Sequence, residues 1–354
     1  MIQDPRVFDD GFDDVELLHR EGEMEEVLKR IVGSLTDSEI LLSGPSGVGK
    51  SLFAQKALDE LEARRSVDRI KIKCLGKTRA AIFRSLLEAH PNGPDTVAQT
   101  RATDSVQEEF EEIVDRKTVI VLDEGDDLPY TDAVGDLLAM PDVTVVAIVH
   151  DATDWLSKLE IDDGHAFDIG HIKLDHYVTD ELADILERRA RQGFFRPDIV
   201  SRTQLRDLAD DVAGVARNGI QRLWGAANIA DEREHLTIHD EDIQDGEDRA
   251  WRRIRRLNLE SLPVHHRVLY AIVHEAGEIS GEALHERYDE VADVIYQGEP
   301  AQPIGERARR EKFQKLREYK LVDYEGPTRD RTYWVIDEDV EPQHIELPES
   351  VSTR

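Results

Sequence analysis

The 354-residue chain is 40% hydrophobic and carries one cysteine, Cys74, and no apolar run of membrane-spanning length; this excludes a helical membrane protein, a disulfide framework and a cysteine-rich metal site. Its formal net charge is −31, from 76 acidic and 45 basic residues, a load that repels DNA, RNA and anionic membranes at ordinary ionic strength. Asp4, Asp9 and Asp10 stand where a signal peptide would be basic and apolar, so a soluble cytoplasmic protein of two or three domains is expected.

Residues 1 to 20 are polar and Asp-rich, and read as a mobile leader or a segment folded over a ligand. A helix is predicted from Leu18 to about Ser34, with Met24, Val27, Leu28, Ile31 and Val32 at helical spacing. Glu39 to Ser43 reads as a short buried strand and Leu52 to Leu61 as a helix. Between them stands Gly44-Pro45-Ser46-Gly47-Val48-Gly49-Lys50-Ser51, which fits the phosphate-loop pattern in its required strand-to-helix context. Glycines let backbone N–H groups approach phosphate oxygens, and the positive end of the new helix points the same way. These residues and Leu52 are the candidate ATP or ADP contacts, with Lys50 reaching the β- and γ-phosphates and Ser51 ligating Mg²⁺. The bland alternative is a glycine-rich turn.

Arg69 to Cys74 alternates like a strand, Thr78 to Ala89 and Val106 to Arg116 read as helices, and Pro91 to Ala98 as a loop. Thr118 to Leu122 is a fully buried strand ending in Asp123 and Glu124. In phosphate-loop proteins that end faces the nucleotide, so Asp123 is the candidate second Mg²⁺ residue and Glu124 the candidate general base for water. Val143 to Val149 is another buried strand, and His150 at its end is a candidate sensor of hydrolysis or simply a solvated strand end. Asp162 to Ala166 reads as loop and His171 to Leu174 as a last strand. Strands alternating with helices predict a three-layer α/β base domain with a parallel sheet, residues 1–175 with the leader.

Residues 176–250 read as a helical lid, with helices Asp180 to Gln192, Ser201 to Val212, Val215 to Glu232 and His239 to Ile254. Arg217 lies in the first turn of the third, where the helix dipole disfavours it by roughly 0.3–1 kcal/mol, which suggests a phosphate across a cleft. Residues 251–340 change character: from Trp251 to Trp334 there are 15 Lys/Arg and 15 Asp/Glu, so the remainder carries the acidic excess. Helices Pro263 to Glu275, Ser280 to Tyr288 and Ile304 to Tyr319, then strands Leu321 to Tyr324 and Arg331 to Ile336, predict a winged helix-turn-helix, with residues 341–354 as a tail. Arg307, Arg309, Arg310, Lys312 and Lys315 on the last helix, and Arg329 and Arg331 in the wing, are the candidate double-stranded DNA contacts. The alternative is a winged helix used for protein contacts.

Excess Asp and Glu with little Lys looks like the acidic surface of a halophile protein, in a cytoplasm salty enough to screen charge over about 3 Å. The order of His-Arg-Glu, GPSGVGKS, VIVLDEGDDL, AIVHD, GVARNGIQRLWGAANIA and SLPVHHRVLYAIV resembles the archaeal origin-recognition-type replication initiators of the AAA+ ATPases, over roughly residues 4 to 340. The resemblance implies ATP between base and lid, origin duplex held by the winged helix and base, and recruitment of the replicative helicase. It leaves assembly as a homo-oligomer on DNA open and implies no membrane partner. It aligns Lys50 and Ser51 with the phosphate-loop pair and Asp123 and Glu124 with the metal and water pair. His150 falls at the first sensor and Arg217 at the second. Three features depart: the first sensor is usually Asn, the stretch from Asp126 to Pro141 is short, and no arginine lies between Asp151 and Glu187, where the family's arginine finger falls. ATP hydrolysis is therefore expected to be slow, with ATP mainly a conformational switch. The alternatives are a transcriptional or plasmid-maintenance regulator, or a helper ATPase of a mobile element.

Overall fold

The computed structural model describes residues 1–33, 39–298, 301–327 and 331–348 and divides into two units, Met1–Gly246 and Glu247–Arg354. The predicted helix end at Ser34 and the wing residue Arg329 lie outside the described residues.

In the first unit α1 (Glu21–Gly33) precedes β1 (Ile40–Ser43), and α2 (Lys50–Arg64) follows the glycine-rich turn. Then come β2 (Asp68–Lys73), α3 (Arg79–Ala89), α4 (Thr103–Ile113), β3 (Thr118–Asp123), α5 (Asp132–Leu138), β4 (Val143–Ile148), α6 (Ala152–Leu156), α7 (Ile161–Ala166) and β5 (His171–Lys173). These strands pair in parallel in the order β2-β3-β4-β1-β5. β3 and β4 are buried at every position, as their unbroken aliphatic runs require, while β2 alternates buried and exposed at the sheet edge. Successive residues of β3 face opposite layers: Val119 and Val121 pack with Phe53, Leu58 and Leu61 of α2, Ile120 and Leu122 with Phe83, Leu86 and Phe110 of α3 and α4. Because β1 sits beside β4, and β4 beside β3, the carboxyl ends of these three strands meet at one edge of the sheet, where α/β folds place ligands.

The stretch Asp162 to Ala166, expected as loop, is helical. Asp162 and Asp163 lie in its first turn, where carboxylates favour the positive end of the backbone dipole. The short connection after Asp126 is filled by α5, which buries Val134 and Leu137 under the sheet.

α8 (Thr179–Gly193), α9 (Arg202–Asp211) and α10 (Ala216–Glu232) follow, then α11 (Asp240–Ser261), which begins in the first unit and ends in the second. Their apolar faces share a core of Leu182, Leu186, Leu205, Leu208, Leu223 and Ala226. The N-terminal segment is no mobile leader. A 3₁₀ turn, Pro5–Phe8, capped by Asp4, inserts Val7 and Phe8 into this helical core. Arg189 donates to the Val7 carbonyl at 2.6 Å and Gln221 to the Phe8 carbonyl at 2.8 Å, so the buried backbone of the turn is satisfied from the lid.

The second unit contains α12 (Val264–Ala276), β6 (Glu278–Ser280), α13 (Gly281–Ile295), α14 (Glu306–Glu318), β7 (Val322–Glu325) and β8 (Thr332–Val335). The strands form an antiparallel sheet in the order β6-β8-β7, and the element order is that expected of a winged helix. β6 adds a strand that the sequence does not predict; three residues are too few to show a period. α13 runs past Tyr288 to Ile295 because Val291 and Ala292 continue its buried face. The Phe313 and Tyr333 rings, 4.3 Å apart, join α14 to the sheet.

Candidate nucleotide site and nucleic-acid face

The glycine-rich turn leaves β1 tied to its neighbour: the Gly44 N–H donates to the His150 carbonyl at 3.3 Å, and the Val149 N–H to the Leu42 carbonyl at 2.9 Å. Gly44 has φ +146°, and a Cβ there would meet the Leu174 carbonyl oxygen at 2.1 Å. Gly47 has φ +80°, and a Cβ there would lie 2.8 Å from Val215 Cγ1 and 3.1 Å from Arg217 Cβ. Only glycine meets both the backbone and the packing demand at these two positions. The Gly47 carbonyl accepts the Arg217 N–H at 3.0 Å, so the turn touches the start of α10. α2 opens with no side-chain cap at Gly49, which leaves its first-turn N–H groups available to an anion.

Lys50 is buried, and its Nζ donates to the carbonyls of Gly44 at 2.7 Å and Pro45 at 2.8 Å, two of its three donors. Burial pushes the ammonium down to about 8, with the carboxylates of Asp126, Asp123 and Glu124 pulling the other way. The Ser51 hydroxyl donates to Asp123 Oδ1 at 2.9 Å, and Lys71 Nζ lies 2.9 Å from Asp123 Oδ2. Glu124 takes a left-handed backbone (φ 59°) directly after the strand, a conformation non-glycine residues adopt at a cost. Asp126 Oδ2 accepts the His150 N–H at 3.2 Å and lies 2.7 Å from His150 Nδ1. Burial raises the Asp126 carboxyl, but the hydrogen bonds from His150 outweigh it and hold it below the usual range. With the carboxylate ionised, the His150 Nδ1–H donates to it, which fixes the orientation of the ring.

Arg217 Nη2 pairs with Asp10 Oδ2 at 2.6 Å. Arg20, next to α1, sits 4.1 Å above the Tyr177 ring and donates to the Asp175 carbonyl at 2.5 Å, bracing the passage from β5 to α8. The structure therefore gathers Gly44 to Leu52, Asp123, Glu124, His150 and Arg217 around one strand edge. A glycine cradle with an uncapped helix start fits a phosphate chain, and the Ser51 and Asp123 oxygens are the donor type Mg²⁺ takes. Lys71, Asp126 and Asp10 join the site without a signal in the sequence. The Lys71 contact depends on β2 lying beside β3, and no spacing rule links Asp10 to Arg217.

On the second unit the basic candidates divide. The Arg307 side chain is 93% exposed and pairs with Glu311 at 3.2 Å; Arg310 pairs with Glu306 at 2.6 Å, and Lys312 is half-buried. Arg309 is only 4% exposed. It donates to the carbonyls of Ile304 and His285 at 2.8 and 3.1 Å, pairs with Asp289, and lies 3.9 Å above the Tyr288 ring. Lys315 is likewise buried, 4.7 Å above Tyr319, with Glu318 at 3.5 Å. Counting charges on a helix does not tell which of its faces each occupies. Arg331 stacks on Tyr324 at 4.3 Å, with Arg317 also over that ring at 4.6 Å.

The AAA domain family model matches residues 35–157, and the Cdc6 AAA+ ATPase-type lid domain model matches residues 183–248. The chain is 29% identical to ORC1-type DNA replication protein 9 of Halobacterium salinarum over 345 residues, covering 95% of this chain and 94% of that protein. Its fold is that of the Aeropyrum pernix ORC1 protein solved in complex with DNA, with a TM-score of 0.69, 22% identity, and 94% and 93% of the two chains covered. It is also that of the Aeropyrum pernix ORC2 protein solved as ADPNP-ADP complexes, with a TM-score of 0.60, 18% identity, and 96% and 95% covered. With the phosphate loop, the strand-end carboxylates and the helical lid now placed on one fold, the chain carries an AAA domain and a Cdc6 AAA+ ATPase-type lid domain and is similar over nearly its whole length to the ORC1-type DNA replication proteins.

Proposed function

We propose that this chain is an ATP-binding replication initiator that grips origin duplex with its second unit and helps load the replicative helicase, with ATP as a conformational ligand. The observation that carries this reading is the meeting of the phosphate loop with the lid: Gly47 accepts the Arg217 N–H, and the Arg217 guanidinium rests on Asp10. A γ-phosphate offers Arg217 an anion in place of that carboxylate, so nucleotide would change what holds the lid. Lys50, now donating to two loop carbonyls, would turn the same donors to phosphate. Bound Mg²⁺, held by Ser51 and Asp123, would neutralise phosphate charge. Glu124 would orient and deprotonate the attacking water, and His150, its ring fixed by Asp126, would report the γ-phosphate. The absence of arginine between Asp151 and Glu187 favours slow turnover, since an arginine finger contributes about 10³–10⁵ in rate. DNA recognition rests on Arg307, Arg310, Lys312 and Arg331; Arg309 and Lys315 serve the packing of α14.

The deciding experiment is footprinting of chromosomal duplex fragments in molar KCl with and without ATP. The expected outcome is protection of a specific duplex that requires ATP and is weakened in Lys50→Ala and Arg307→Ala. Failure to protect any fragment removes the DNA-binding half of the reading. Specific protection of promoter rather than origin fragments, unaffected by Glu124→Gln, would favour the regulator that holds ATP without turnover.

A further inference from the structure

We infer that the turn between α10 and α11 is a binding site for a divalent transition-metal ion, built from His235, His239 and Glu241. One ring nitrogen from each histidine and a carboxylate oxygen of Glu241 lie within 4.8 Å of one another. Metal–ligand distances of about 2.0–2.2 Å place tetrahedral ligands roughly 3.3–3.6 Å apart, so the three side chains need to draw together by up to about 1.5 Å. His239 and Glu241 are exposed and have room to close on the partly buried His235 ring.

The backbone beneath them is already fixed. α10 ends through Glu234 in the left-handed region (φ 58°), and the His235 N–H closes back on the Ala230 carbonyl at 2.9 Å. Ile238 is buried and its N–H donates to the Ile199 carbonyl at 2.7 Å. The His235 and His239 rings stack at 4.1 Å with an interplanar angle of 27°.

The independent observation is Asp242, whose side chain is fully buried. Its Oδ2 lies 2.8 Å from His235 Nδ1 and accepts the His239 N–H at 2.9 Å. A buried carboxylate on one imidazole nitrogen orients the ring, fixes its tautomer and leaves Nε2 as the ligand atom, the arrangement that supports metal-binding histidines. Arg233 takes the other oxygen, Oδ1, at 2.9 Å and also pairs with Asp245, so the Asp242 carboxylate is neutralised from behind. Two imidazoles and one carboxylate select a zinc-like ion over Mg²⁺, which prefers oxygen ligands. With three protein ligands on a partly exposed turn, water completes the coordination. The ion would join the connecting turn to the first turn of α11, the helix that carries the chain into the second unit.

The test is titration of the EDTA-treated full chain with Co²⁺ alone, read by visible d–d absorption, followed by displacement with Zn²⁺. The expected result is one tightly bound equivalent with the intense absorption of a four-coordinate nitrogen-oxygen site. Affinity should fall at least tenfold in His239→Ala and about 10–100-fold in Asp242→Asn. His239 is half exposed, so its replacement leaves the fold intact and keeps the test sound even where Asp242→Asn misfolds. Cobalt at the Ser51–Asp123 oxygens would absorb weakly and persist in His239→Ala. No saturable binding below millimolar Co²⁺, or binding unchanged by His239→Ala, overturns the assignment.

Discussion

Lys50 carries the most consequential charge in the first unit, because it is buried against backbone carbonyls with three carboxylates nearby. Its pKa is lowered from the ordinary 10.5 to about 8. A base depressed on folding costs stability while it is charged, below about pH 8, and that cost is relieved as pH rises toward 10.5. Phosphate reverses the preference, because an anion restores the charged form. ATP binding should therefore be flat with pH below about 7 and weaken above pH 8, by up to about tenfold per pH unit. Fluorescent-nucleotide titration from pH 6 to 9.5 measures this, with Lys50→Arg as the variant that loses the dependence. An affinity that stays level to pH 9.5 in the natural chain would show that the ammonium is not the phosphate ligand.

At the scale of elements, α14 separates two kinds of arginine. Arg309→Ala removes a buried guanidinium that satisfies two carbonyls and covers Tyr288; it should destabilise the second unit by about 2–3 kcal/mol, read by denaturant melting. Arg307→Ala, at a fully solvated position, should change stability by no more than about 0.5 kcal/mol. It should also lower duplex affinity and reduce the log-affinity versus log-salt slope by about 1. If Arg309→Ala melts like the natural chain, the guanidinium is not what packs α14 against α13. The periodicities of the sequence were enough for the parallel sheet and the lid, because the all-aliphatic runs of β3 and β4 and the amphipathic α8 to α10 admit few other burials. The phosphate-loop cluster was readable because its chemistry is local to one turn and one strand end. The lid anchorage of Val7 and Phe8, the Lys71–Asp123 pair and the division of basic residues on α14 were not. Each is set by which elements become neighbours, and contacts between distant segments leave no period in the chain.

The whole molecule carries 76 acidic against 45 basic residues, and exposed carboxylates repel one another through water. Screening shortens that repulsion from about 10 Å at 0.1 M salt to about 3 Å at 1 M. The melting temperature should rise steadily between 0.1 and 2 M KCl, and a melting temperature independent of KCl would exclude self-repulsion as a term in its stability. Duplex binding should likewise be measured in molar salt, since at low salt the overall field opposes the basic face of α14. The central claim concerns the turn holding Lys50, and isothermal titration of Mg·ATP into the full chain and Lys50→Ala in molar KCl tests it most directly. The account predicts one site per chain, weakened about 100-fold or more by the substitution. Absence of nucleotide binding to the natural chain, or equal affinity in Lys50→Ala, would contradict it.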